Sequence, residues 1–126
     1  MPDQNKSLVV VVEDDAGMRK ALERLLRVAG YQTALFSSAE AFLDSTETDL
    51  AACLVLDIHL PGLSGLELQR RLAASGRHSP AIFITAQDDE AARDEARQLK
   101  CSAYFRKPFE GAALLAAIQR ALNAFP

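Results

Sequence analysis

Five residues have the types and positions to handle a phosphoryl group. Glu13 and Asp14 directly follow one apolar run, Asp57 follows another, Thr85 closes a third, and Lys107 follows the short segment Ala103-Tyr104-Phe105-Arg106. Three carboxylates gathered in one place repel each other, since two unit charges about 4 Å apart interact by roughly 4 kcal/mol at an effective dielectric of 20. A hard cation would relieve that repulsion. Magnesium takes oxygen ligands in octahedral geometry, keeps several waters, and is often held by one or two carboxylates together with a phosphate. The three acids, a divalent ion and Lys107 formally sum to zero charge, so a phosphoryl group could enter without uncompensated negative charge. An ionised carboxylate is already a nucleophile, whereas a serine would need a general base and the chain offers no paired histidine. Asp57 is therefore the expected nucleophile, with positioning and electrostatics carrying the transfer.

For these residues to meet, the strands they terminate must end on a common edge. Leu8 to Val12 is a continuous valine-rich run, of the kind found in strands buried on both faces of a parallel sheet. From Gly17 onward Met18, Leu22, Leu25, Leu26 and Ala29 recur at helical spacing, and Gly30 can close that helix. Strands are expected again at Gln32 to Phe36, Ala52 to Leu56, Ala81 to Thr85 and Ala103 to Arg106. The helices between and after them are a short one opened by a Ser37/Glu40 capping box and running through Leu43, one opened by Ser64/Glu67 and ending near Gly76, a polar one from Asp88 to Leu99, and a last from Phe109 to Asn123. Pro61, Gly62 and Gly65 punctuate the loop after Asp57. Five strands alternating with five helices predict an α/β fold, a parallel sheet with helices on both faces. In such sheets the ligand site lies beyond the carboxyl ends of the strands, where the strand order reverses.

The sequence resembles the CheY-like receiver domains of bacterial two-component response regulators over nearly its whole length. The resemblance is carried by Val-Val-Glu-Asp-Asp ending at Asp15 with Arg19 beyond it, Leu-Val-Leu-Asp-Ile-His-Leu-Pro-Gly-Leu-Ser-Gly around Asp57, Phe-Ile-Thr-Ala ending at Ala86, and Tyr-Phe-Arg-Lys-Pro-Phe ending at Phe109. It implies the flavodoxin-like doubly wound sheet order 2-1-3-4-5, and a single receiver domain over residues 1–126 with a core of about 7–124. It also implies that Asp57 is the phosphoacceptor and that Glu13, Asp14, Asp57 and the backbone carbonyl of His59 hold Mg2+, with Asp15 a bystander. Thr85 and Lys107 would bind the phosphoryl oxygens, Tyr104 would move with Thr85, and Lys107-Pro108 would be a cis peptide. The implied donor is a sensor histidine kinase or phosphotransfer protein. The implied readout is an output domain or protein reached through the fourth helix, fifth strand and fifth helix, with room for a phosphorylation-dependent dimer. Such a domain is not an enzyme but a phosphoacceptor that assists its own phosphorylation and dephosphorylation. His59 and Gln87 occupy the positions that tune acyl-phosphate hydrolysis in this family. Lys100 stands where the family commonly has glycine, which puts the geometry of that loop in question.

Composition narrows the alternatives. The chain has 126 residues, 49% of them hydrophobic, enough for one domain with an ordinary core. Cys53 and Cys101 stand far apart with no metal-binding companions, which suits packing roles in a reducing compartment. The polar start, Met1 to Ser7, lacks the apolar core of a secretory signal, and no run approaches the roughly 20 residues of a membrane helix, so a cytoplasmic protein is expected. A net charge of -3 argues against direct nucleic-acid binding. A dehalogenase-like phosphatase would want a second acid two residues after the nucleophile, where this chain has His59. A flavin carrier would want a donor-rich first loop, where Glu13 to Asp15 would repel phosphate. The remaining rival is a receiver-like module that binds proteins without phosphorylation, and the intact Glu13, Asp14, Asp57, Thr85 and Lys107 speak against it.

Overall fold

In a sheet covered on both faces, successive residues of each inner strand must enter different cores, which is why the inner strands read as nearly unbroken apolar runs. The computed structural model describes residues 7–124, apart from the side chains at 47 and 48, so most of the polar opening stretch lies outside the described residues. Its strands are β1 (Leu8–Val12), β2 (Gln32–Phe36), β3 (Cys53–Asp57), β4 (Ala81–Thr85) and β5 (Ala103–Arg106). All pair in parallel in the order β2-β1-β3-β4-β5. The helices are α1 (Ala16–Val28), α2 (Ala39–Leu43), α3 (Gly65–Ala74), α4 (Glu90–Gln98) and α5 (Gly111–Ala124), with a 3-10 turn at Thr46–Asp49. Val10, Val12, Leu54, Leu56 and Phe83 pack with residues of α2, α3 and α4, while Val9, Val11, Val55, Ile82 and Ile84 pack with α1 and α5. Cys53 lies in the second core, where burial pushes its thiol up to about 12.

Several boundaries shift for local reasons. The N-cap of α2 is Ser38 rather than Ser37, because its side chain accepts the Ala41 N–H; Glu40 instead accepts the Leu63 N–H at 2.9 Å, tying α2 to the β3–α3 loop. Ser64 caps α3 as expected, accepting the Glu67 N–H at 3.0 Å. α4 begins after Asp89, whose carboxylate takes the Ala92 N–H, and Asp88 is left for other partners. α5 begins at Gly111 rather than Phe109, whose ring packs 5.6 Å from that of Phe105. Arg70, on the exposed face of α3, pairs with Glu67 on its own helix and with Glu95 on α4.

Lys100 resolves into a recurring motif. Three helices end with the same pair of backbone bonds: Gly30 N to Arg27 O and Tyr31 N to Leu26 O after α1, Gly76 N to Ala73 O and Arg77 N to Leu72 O after α3, and Lys100 N to Arg97 O and Cys101 N to Ala96 O after α4. This termination needs a left-handed residue, normally glycine. Gly30 and Gly76 have φ of 96° and 85°, and Lys100 adopts the same region at φ 58°. The lysine thus keeps the glycine geometry at the cost of Cβ strain, which is roughly 1–2 kcal/mol for L-residues. Part of that cost is offset by the greater unfolded-state freedom of glycine. Lys100→Gly is expected to stabilise the protein by about 0.5–1 kcal/mol in urea denaturation; a loss of stability would show that the lysine side chain makes a compensating contact.

Candidate functional site

The backbone ladder runs past the end of β1 and delivers Glu13 to the sheet edge, its N–H donating to Phe36 O at 3.0 Å. Glu13 is fully buried, whereas Asp14 and Asp15 are exposed. Asp15 caps α1 by accepting the Met18 N–H at 2.7 Å. Arg19 donates to the carbonyls of Glu13 (2.8 Å) and Asp14 (3.0 Å), so α1 clamps the acidic turn from below. Asp57 is the last residue of β3 rather than the first beyond it, and is 4% exposed. Ile58 N continues the ladder to Ile84 O at 3.0 Å, and the His59 N–H then turns back to donate to Asp57 Oδ1 at 3.0 Å. From the far side, Lys107 N donates to Thr85 O at 2.7 Å, and the Lys107-Pro108 peptide is cis, as the resemblance implied.

These elements converge on one cation. Lys107 Nζ lies 2.7 Å from Glu13 Oε1 and 3.0 Å from Asp57 Oδ2, joining positions separated by 94 and 50 residues. Burial pushes the Glu13 carboxyl up to about 7, assisted by the charge of Asp57 and opposed by hydrogen bonds from Lys107 and the Asp15 N–H. Burial also pulls the Lys107 ammonium down, but its bonds to Glu13 and Asp57 outweigh this and hold it above the ordinary lysine value. Carboxylate oxygens of Glu13, Asp14 and Asp57 lie within 4.8 Å of one another. A compact, all-oxygen donor set of three acids fits a hard divalent ion such as magnesium.

The other expected residues are near but differently engaged. Thr85 is fully buried, and its hydroxyl donates to the Gln87 carbonyl at 2.7 Å while accepting the Gln87 N–H at 3.1 Å. Its hydroxyl therefore bonds to the β4–α4 turn rather than to Asp57 or Lys107. Tyr104 is half-buried, its hydroxyl donating to Asp88 Oδ1 at 3.3 Å and its ring lying 5.9 Å beneath the Arg93 guanidinium. Arg93 also pairs with Asp88. Two positioning residues carried more weight than their sequence context suggested. Arg19 was visible only as part of a motif. Gly65, expected to be a loop residue, is the buried first residue of α3, and a Cβ there would lie 2.3 Å from the Asp57 carbonyl oxygen.

A parallel five-stranded sheet with this acid and lysine cluster at its carboxyl edge is the architecture of a response regulator receiver. Residues 9–119 match the response regulator receiver domain, and the chain belongs to that family. It is 43% identical over 113 residues to nodulation protein W of Bradyrhizobium diazoefficiens, covering 90% of this chain and 50% of that protein. It is 39% identical over 126 residues to the response regulator protein TmoT of Ectopseudomonas mendocina, covering 100% of this chain and 57% of the relative. The structure superposes on response regulator StyR with a TM-score of 0.87 at 40% identity, covering 94% of this chain and 60% of StyR. The chain spans about half the length of the curated relatives it matches. Among the described residues no helix is long and apolar enough to cross a membrane.

Proposed function

We propose that residues 7–124 act as one receiver unit, accepting a phosphoryl group on Asp57 from the phosphohistidine of a sensor histidine kinase or phosphotransfer protein. The observation that carries this reading is Lys107 Nζ held between Glu13 Oε1 and Asp57 Oδ2 at the carboxyl edge of the sheet. One oxygen of Asp57 is oriented by the His59 N–H and the other by Lys107. The attacking carboxylate oxygen forms the new O–P bond as the donor's N–P bond breaks, and the imidazole leaves with its electron pair and takes up a proton. Lys107 then stabilises the added oxygens by charge. Glu13, Asp14, Asp57 and the His59 carbonyl would hold Mg2+, which supplies charge neutralisation at the transferring group.

The adduct draws the Thr85 hydroxyl from Gln87 toward the phosphoryl oxygens, and Tyr104 follows through the β4–α4 turn. The readout is a change in the α4–β5–α5 surface, sensed by an output domain or protein or by a second copy in a phosphorylation-dependent dimer. The domain assists its own phosphorylation and dephosphorylation without being an enzyme of another substrate. Cytoplasmic residence follows from a kinase-fed role and two free thiols.

Intact-mass measurement after incubation with acetyl phosphate or phosphoramidate tests the site. Wild type is expected to gain one phosphoryl mass with magnesium and none without it, and Asp57→Asn to gain none in either case. Absence of any adduct on folded wild type would favour a binding module that works without phosphorylation.

A further inference from the structure

The Gln87 carbonyl is shared. It accepts the Thr85 hydroxyl at 2.7 Å and lies 3.3 Å from Nε2 of His59, which arrives from the β3–α3 loop 28 residues earlier. Because a carbonyl only accepts, the His59 ring must donate from Nε2 for this bond to form. Gln87 returns its own N–H to Thr85 Oγ1, so the threonine hydroxyl is both donor and acceptor toward one residue. The next residue, Asp88, takes the Tyr104 hydroxyl and pairs with Arg93. One short turn therefore connects an exposed histidine beside Asp57, the buried threonine and the half-buried tyrosine.

We infer that His59 is a positioning residue whose ring tethers the β4–α4 turn in its resting place, holding Thr85 away from Asp57 until phosphorylation outweighs the tether. The inference rests on the reading of Thr85 as the hydroxyl drawn to the phosphoryl group. For Thr85 to rotate toward Asp57 it must release both bonds to Gln87. For the turn to follow, Gln87 must leave the His59 ring. The tether is a solvent-exposed hydrogen bond slightly longer than the usual range, so it shifts the resting equilibrium modestly rather than locking it. Losing it is expected to raise the fraction of unphosphorylated molecules with an opened turn by roughly threefold to tenfold. His59→Gln places an amide donor at similar reach and should restore the tether, which a purely volume-filling role of the ring would not predict.

Two readouts on the full chain test this at one fixed pH. Amide hydrogen exchange needs no phosphoryl group: the Gln87 amide, protected by Thr85 Oγ1, should exchange roughly threefold to tenfold faster in His59→Ala and return toward wild type in His59→Gln. Unchanged exchange in His59→Ala, or no restoration in His59→Gln, overturns the tether. NMR of the Thr85 methyl and Gln87 amide, with beryllofluoride defining the activated end state, should show unliganded His59→Ala displaced from wild type toward that end. Displacement in any other direction also overturns it. Failure of the Asp57 reading looks different, because wild type itself would then give no beryllofluoride response, whatever the exchange of Gln87.

Discussion

Metal-free protein should lose stability as the pH rises from 5 to 8, and magnesium should recover most of that loss at the alkaline end. Glu13 is the cause. Its carboxyl has an ordinary value of 4.5 and is pushed up to about 7 by burial, so the folded state binds this proton more tightly than the unfolded chain. A raised carboxyl contributes stability that is fully present below 4.5 and is lost as the pH climbs through about 7. The size of the effect is on the order of 3 kcal/mol, since one pKa unit corresponds to roughly 1.4 kcal/mol. A divalent ion requires the deprotonated carboxylate, so its affinity should increase across the same interval. Urea denaturation in chelator, and again with magnesium, at several pH values measures both trends. Glu13→Gln keeps the shape of the side chain and removes the proton equilibrium, so its stability should be flatter across this interval. If Glu13→Gln retained the full wild-type slope, the titration would belong to another group.

Gly65→Ala should be the most damaging single-methyl change near the site. The added Cβ would sit 2.3 Å from the Asp57 carbonyl oxygen, 3.0 Å from its carbonyl carbon and 3.3 Å from Ile58 Cα. All three are backbone atoms at the end of a strand buried on both sides, so no side chain can swing away to relieve the clash. Overpacking typically costs 1–3 kcal/mol, and this geometry belongs at or above the upper end, roughly 3 kcal/mol before any gain in helix propensity. The relief that does occur must displace Asp57, so phosphorylation by acetyl phosphate should fall along with the urea midpoint. Gly17→Ala is the matched comparison. Its Cβ would meet only Asp15 Oδ2 at 3.4 Å, within a helix, and the same substitution should be stabilising by about 0.5–1 kcal/mol. Similar outcomes at both positions would mean that the close approach at Gly65 is readily absorbed.

Much of the fold is legible in the sequence because its local rules agree with its global arrangement. Leu8–Val12 and Ala81–Thr85 are strands with the expected bounds because each is a short, uninterrupted apolar run with a sharp polar end. Helix ends are less legible. Ser37 and Ser38 are equally good caps by type, and only the backbone angle of the approaching chain decides that Ser38 reaches Ala41. Asp88 and Asp89 pose the same ambiguity, settled because Asp88 meets Tyr104 and Arg93, which are distant in sequence or on the next turn.

By itself the sequence determined the strand and helix alternation, the two-sided burial of the sheet, and the set of acids, hydroxyl and lysine at strand ends, because periodicity and residue type are local properties. Tertiary structure alone decided that Glu13 is buried and drawn up toward neutrality, that Lys107 spans it and Asp57, that Gly65 has no room for a methyl, and that Thr85 rests on Gln87 beside His59. Each of these depends on distances between segments far apart in the chain, and electrostatic and steric energies follow such distances rather than sequence order.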